Sequence, residues 1–161
     1  MSEATKPIPD GYHSVTPYLT VEDADAALAF YRQAFGASEI LRLNMADGKI
    51  GHAEFKIGES NFMISDEYPN ASSTSPKTLG GSSVKLHLYV GDVDAVFAHA
   101  LAAGATQAMA PADQFWGDRM GALIDPFGHH WLLATHIEDV DPSEYQHRMD
   151  AMFAANAACD S

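Results

Sequence analysis

Residues 15–36, VTPYLTVEDADAALAFYRQAFG, are answered by residues 84–105, VKLHLYVGDVDAVFAHALAAGA. Each stretch opens on a strand-like run, 15–21 and 84–90, and each run is followed by an acidic pair, Asp23 with Asp25 and Asp92 with Asp94. Apolar residues then recur at helical spacing: Ala24, Ala27, Leu28, Tyr31 and Phe35 in one copy, Val93, Val96, Phe97, Ala100 and Leu101 in the other. Asp23 and Asp92 suit the helix start, where a short carboxylate can accept hydrogen bonds from free amides. Gly36 and Gly104 suit the far end, where the chain turns left-handed at little cost to a residue without Cβ. Self-similarity of this kind predicts one supersecondary unit built twice.

Working outward, three strand candidates follow each helix: 39–44, 50–57 and 61–66, then 106–110, 120–124 and 130–136. Asp47-Gly48, Gly58-Glu59 and the run from Asp125 to Gly128 read as turns between them. Each half is therefore βαβββ, and the fold class is α+β. The expected division is a polar N-terminal arm at 1–13, a first module at 14–68, a linker or flap at 69–83, a second module at 84–138, and a C-terminal helix and tail at 139–161. Asp141 followed by Pro142 marks the start of that last helix. Its stripe of Tyr145, Met149, Met152 and Phe153 is expected to dock on the body or on a sister subunit.

Nine basic against 22 acidic side chains give a net charge of −13, which repels phosphate backbones and anionic lipid. Nucleic acid and membrane partners are not expected. The opening residues lack the basic start and apolar run of an export signal, and the chain has one cysteine, Cys159, so a reducing cytoplasm is the expected compartment.

Alternation along the strands sorts the side chains into two faces. Leu19 and Val21, Leu86 and Leu88, Ala53, Phe55 and Ile57, and Trp131 and Leu133 fall on faces suited to helix packing. Opposite them lie Thr16 and Tyr18; Lys85, His87 and Tyr89; His52 and Glu54; and His130 and Leu132. A face carrying this much aromatic and branched surface suits a cavity wall better than bulk solvent. Phe62 is expected on the same wall.

These stretches, with HAEFKIGES at 52–60 and DQFWGDRMGALIDPFGHHW at 113–131, resemble the glyoxalase/bleomycin-resistance/extradiol dioxygenase (vicinal oxygen chelate) superfamily, and in particular its PhnB-like branch. The resemblance implies a cupped mixed sheet with helices on its convex face, a small-molecule ligand and a homodimer. Metal-using relatives place a ligand on the first and last strand of each half. By counting from the strand-end valines and turn glycines, those positions are Thr16, Phe62, Lys85 and Leu132, none of them the histidine or glutamate such chemistry uses. The expectation is a chain without the family metal site and without a cofactor, a divalent metal being disfavoured.

Two alternatives stand beside simple binding. A relocated metal site could draw on His52, His87, His130 and Glu54, or His87 and Glu54 could exchange protons without a metal, as in a glyoxalase-like lyase or isomerase. Trp116, in the loop at 113–119, is a candidate lid residue that stacks on a flat ligand. Arg119 either holds a ligand carboxylate or pairs with Asp118 or Asp125. His129 is expected to face away from His130, and His13, His99, His136 and His147 are expected at the surface or at an interface. Tyr18, His52, Glu54, Phe62, Lys85, His87, Tyr89, Trp116, Arg119, His130 and Leu132 make up the expected ligand wall.

Overall fold

The computed structural model describes residues 5–68, 70 and 72–159, with side chains through residue 155. The Cys159 thiol lies outside the described residues. The elements run β1 (Tyr18–Val21), α1 (Ala24–Phe35), β2 (Ser38–Asn44), β3 (Ile50–Ile57), β4 (Ser60–Asp66), α2 (Pro76–Leu79), β5 (Lys85–Tyr89), α3 (Val93–Ala102), β6 (Thr106–Asp113), β7 (Asp118–Ile124), β8 (His130–His136) and α4 (Tyr145–Cys159). Two compact units result. One holds the chain through Ser83 with Pro126–His129, the other holds Val84–Asp125 and the chain from His130 on.

Each unit has its own four-stranded mixed sheet, ordered β1-β4-β3-β2 in the first and β5-β8-β7-β6 in the second. The opening strand of each pairs parallel to the last, and the other pairings are antiparallel. This is the repeated βαβββ expected from the sequence. A one-turn helix, α2, occupies part of the segment at 69–83, capped by the Ser75 hydroxyl.

Local chemistry sets the boundaries. Asp23 and Asp92 cap α1 and α3, accepting from the amides of Ala26 and Ala95 at 2.9 and 3.0 Å. Gly36 ends α1 in the left-handed region, at φ 68°. In α3 the cap is instead Ala103, with right-handed backbone, and Gly104 comes one residue later at φ 113°. Strand β1 begins at Tyr18, three residues later than its apolar pattern, because Pro17 has no amide hydrogen to give to a ladder. Strand β6 instead runs past Pro111 to Asp113, which an edge strand tolerates.

The first core is aromatic. Tyr31 from α1 stacks on Phe55 at 5.3 Å between ring centres, and Phe55 stacks on Phe62 at 5.0 Å. Offset stacks of this kind add about 1 kcal/mol each beyond plain burial. Phe127, in the Pro126–His129 segment, sets its ring edge-on to Phe30 and Tyr31. Gly128 there has φ 91°, and a Cβ on it would stand 2.9 Å from Pro76, so glycine is required on two counts. In the second core, Val93, Phe97 and Ala100 of α3 pack with the buried Leu123, Trp131 and Leu133. The Trp131 indole donates to the buried Asp125 carboxylate at 2.9 Å.

The stripe of Tyr145, Met149, Met152 and Phe153 on α4 is left partly exposed. None of its residues is buried, and Phe153 is 59% exposed. No helix among the described residues is long and apolar enough to cross a membrane.

Candidate functional site

In the first sheet the register lines up one row across the face away from α1: Tyr18 opposite Met63, Met63 opposite Glu54, Glu54 opposite Leu41. The N-terminal arm lies over this row. Asn61 donates its amide to the Gly11 carbonyl at 2.9 Å, and the Tyr12 hydroxyl donates a short hydrogen bond to Glu54 Oε2. Between arm and sheet lies a cleft of about 410 Å³, walled by Pro7, Ile8, Tyr12, Thr16, Glu54 and Met63 among others.

Glu54 is the polar centre of that cleft. His52, two residues along the same strand and on the same face, approaches Glu54 Oε1 with Nε2 at 3.3 Å. The other imidazole nitrogen, Nδ1, lies 3.0 Å from the Tyr18 hydroxyl. With the Nε2 proton directed at the carboxylate, Nδ1 accepts from Tyr18, and Tyr12, Glu54, His52 and Tyr18 form one hydrogen-bonded chain. The bond from Tyr12, aided by His52 and opposed by burial, holds the Glu54 carboxyl below its ordinary range. The same bond, with burial and the carboxylate charge, pushes the Tyr12 phenol up to about 12.

The second unit builds a different network. Asp118, buried, accepts from the Tyr89 hydroxyl and the Trp116 indole, each at 2.9 Å, and lies 2.8 Å from His136 Nδ1. Burial works against its charge, but the bonds from His136, Tyr89 and Trp116 together leave its carboxyl below the usual range. His136 also meets Asp139 at 3.0 Å, and Asp118 first, then Asp139, raise its pKa. Gly117 is obligatory in this hairpin, since a Cβ there would lie 2.0 Å from the Glu138 carbonyl oxygen.

The expected wall residues divide accordingly. Tyr18, His52 and Glu54 come together in the first unit. In the second, His87 and Leu132 are register partners, as are Lys85 and His130, and the His87 ring lies 4.7 Å from that of Tyr89. Two readings need correction. Phe62 is buried in the first core against Phe55, and its neighbour Met63 holds the place in the row. The cause is the turn: Ile57 pairs directly with Ser60, whereas Ile124 pairs with His130 across a longer loop, so counting from Gly58 as from Gly128 slips by one. Arg119 pairs with neither Asp118 nor Asp125. Its guanidinium grips both Asp94 oxygens, at 2.7 and 2.9 Å, and reaches Asp113 at 2.9 Å. His136, exposed as expected, is bound on both nitrogens. Trp116 gives its indole proton to Asp118 and meets Phe115 edge-on. His129 Nε2 lies 3.2 Å from the Thr20 carbonyl oxygen.

Sequence reading missed Tyr12, whose only local signal is an aromatic residue beside the turn-forming Pro7, Pro9 and Gly11. At the places where metal-using relatives carry ligands, the chain offers Thr16 and Met63 in one unit and Lys85 and Leu132 in the other. Neither pair fits a divalent ion: none of the four is an imidazole or a carboxylate, and Lys85 carries an ammonium. Among the described residues no three His, Cys, Asp or Glu side chains group as metal ligands.

Residues 11–133 match the family model of the Glyoxalase/Bleomycin resistance protein/Dioxygenase superfamily. An uncharacterized protein of Mycobacterium bovis is 44% identical over 141 residues, 86% of this chain and 93% of that one. Among solved structures, TioX from Micromonospora sp. is similar at a TM-score of 0.62 and 28% identity, over 78% of this chain and 99% of that one. The PhnB protein of Bacillus cereus shares the fold, with a TM-score of 0.61 at 24% identity over 76% and 99% of the two chains. The chain belongs to the glyoxalase/bleomycin-resistance/dioxygenase superfamily, and PhnB-like proteins are among its structural neighbours.

Proposed function

We propose that this protein binds a small organic molecule without the family's metal centre, and that the cleft between the N-terminal arm and the first sheet is its binding site. The observation that carries this reading is the cleft itself: about 410 Å³, with an apolar wall of Pro7, Ile8, Pro9 and Met63, polar groups from His13 and Ser14, and one anchored carboxylate. Those are the usual ingredients of a small-molecule site. A broad metabolite and antibiotic screen by thermal shift tests it, since a ligand that binds only the folded chain raises the melting temperature. Hits that Tyr12→Ala or Met63→Trp abolish support the cleft; a screen without hits overturns the reading. Elemental analysis of protein purified without a metal-affinity tag should give far less than one zinc, nickel, manganese or iron per chain. A tightly held ion at unit stoichiometry removes the metal-free half of the proposal.

The hydrogen-bonded chain through Glu54 supports a second reading, a glyoxalase-like lyase or isomerase that moves protons through this carboxylate. Incubating screen hits in heavy water separates the two. Exchange of a carbon-bound proton that Glu54→Gln abolishes favours the enzyme. The proposal also includes a cytoplasmic homodimer. Exposed apolar residues on the edge strand β2, Ile40, Leu41 and Leu43, and on α4, Phe153, favour pairing of chains, which sedimentation at micromolar concentration checks.

A further inference from the structure

We infer that the cleft takes a small organic cation, an ammonium or amidinium group on a compact apolar body, with Glu54 as its counter-ion. This rests on the reading of that cleft as the binding site and adds the charge class of the ligand.

The argument starts from what Glu54 lacks. A carboxylate drawn out of water requires either hydrogen-bond donors or an opposite charge. Three other acids of the molecule pair with an arginine, Glu39 with Arg42, Asp94 with Arg119 and Glu138 with Arg148, whereas the buried Asp118 is met, like Glu54, by a phenol and an imidazole. Glu54, with its side chain only 18% exposed, receives a phenol and an imidazole instead, and its one ion-pair contact within 4 Å among the described residues is that histidine. Each of its oxygens accepts one hydrogen bond and keeps a further lone pair. Among the described residues no lysine or arginine lines the cleft, whose other ionisable side chains are Tyr12 and His13. The donors hold the carboxylate ionised, and among the described residues no lysine or arginine pairs with it.

The surroundings select the same class. Pro7, Ile8, Pro9 and Met63 give an apolar wall for a ligand body, and the Tyr12 ring offers a face attractive to a cation. The chain's charge of −13 concentrates cations at its surface and opposes anions. A metal ion is a poor alternative occupant, because the cleft lining offers one carboxylate and one imidazole, Glu54 and His13, where three or more such donors are needed.

Three matched ligands test this on the full chain at neutral pH: benzylamine, benzyl alcohol and benzoate, which share a flat apolar body and differ in charge. Amide NMR shifts report both the site and the affinity. Benzylamine is expected to move the signals of Tyr12, Thr16 and Met63 and to bind about tenfold more tightly than the alcohol, with benzoate weakest. Glu54→Gln should remove that advantage and leave benzyl alcohol within about twofold of its original affinity. Equal binding of the amine and the alcohol in the cleft overturns the cation assignment and leaves the binding reading standing. Benzylamine shifts confined to exposed acids outside the cleft, and lost on adding salt, overturn it as well. If none of the three ligands moves a cleft residue, the cation assignment fails, and the thermal-shift screen then decides the broader reading. The comparison among ligands is made on the unaltered protein, so it does not depend on the variant folding.

Discussion

The row Tyr18, Met63, Glu54 and Leu41 in the first unit and the row His87, Leu132, Ala122 and Met109 in the second occupy the same positions of the repeat. Their chemistry differs at the third place, a carboxylate in one and a methyl group in the other. The backbone ladders that set these rows are alike, because strand pairing depends on main-chain groups every residue shares. The side chains facing away from the helices are under no such common demand. One unit therefore carries a charged cleft, while the other turns its carboxylate, Asp118, to holding a hairpin. The duplicated fold supplies two platforms, and in these matched rows only the first carries a carboxylate.

The same contrast appears at the helix entrances, where the largest effect is expected. Asp66 at the end of β4 accepts from Ala24 N at 2.8 Å and from Ile50 N at 2.6 Å, both bonds buried. Thr135, the equivalent residue on β8, accepts from Val93 N at 2.8 Å and donates to the Val90 carbonyl. Removing Asp66 strands two buried amides, and removing the Thr135 hydroxyl strands one. Asp66→Ala should cost about 3 kcal/mol and Thr135→Val about 1 kcal/mol in urea unfolding. Equal losses would mean that the two entrances are energetically interchangeable after all.

Much of the scaffold was legible because its signals are local. Caps at Asp23 and Asp92 reach only to Ala26 and Ala95, and the limits of β3 and β8 follow from alternation ending at turn residues. What failed was long-range or relative. The Phe62 register depended on how tightly Gly58 turns, which composition does not specify. Tyr12 reaches Glu54 across 42 residues, and no periodicity connects them. Arg119 was read against its sequence neighbours, yet its partner Asp94 lies on another element, 25 residues back. The repeat could have helped: Asp25, the equivalent of Asp94, is also met by an arginine, Arg42, from a different strand.

Each unit has a tyrosine bonded to a carboxylate, and alkaline titration sharpens the difference between them. Tyr12 gives its proton to Glu54, whose other donor is His52; Tyr89 shares Asp118 with Trp116 and His136. Tyr12 is expected to titrate near 12 and to fall toward the ordinary phenol value in Glu54→Gln. Tyr89, also raised, should fall by less in Asp118→Asn. Because the folded pKa of Tyr12 is raised, its contribution to stability is complete below the phenol's unfolded value and is lost as pH climbs through about 12. Carbon NMR of the tyrosine ring reads both groups. A Tyr12 that titrates unchanged in Glu54→Gln would mean that the arm is not held by this bond.

His136 gives the second unit a pH dependence of the opposite kind to that of Glu54. Its raised pKa means that its stabilising contribution is present below the ordinary imidazole value and fades as pH rises through the folded one. Glu54, lowered, contributes above the ordinary carboxylate value and loses that contribution as pH falls through its folded one. Histidine NMR titration should show the His136 pKa dropping in Asp118→Asn and dropping less in Asp139→Asn, since Asp118 is buried and Asp139 fully exposed. A larger drop from Asp139→Asn would place the controlling charge at the surface.

The smallest difference is expected at the arginines that meet the first turn of each helix. Arg119 grips Asp94 through two nitrogens, a fork that a lysine cannot reproduce; Arg42 meets Asp25 through one nitrogen and spends its fork on Glu39. Arg119→Lys should therefore loosen α3 at its start, whereas Arg42→Lys should mainly loosen β2, the strand that holds both Arg42 and Glu39. Both pairs are exposed enough for salt to screen them, so the loss of melting temperature should shrink in roughly 1 M salt. Amide hydrogen exchange at Ala95 and Val96 distinguishes the two variants. Faster exchange there in Arg42→Lys than in Arg119→Lys would break the correspondence drawn between the two helix entrances.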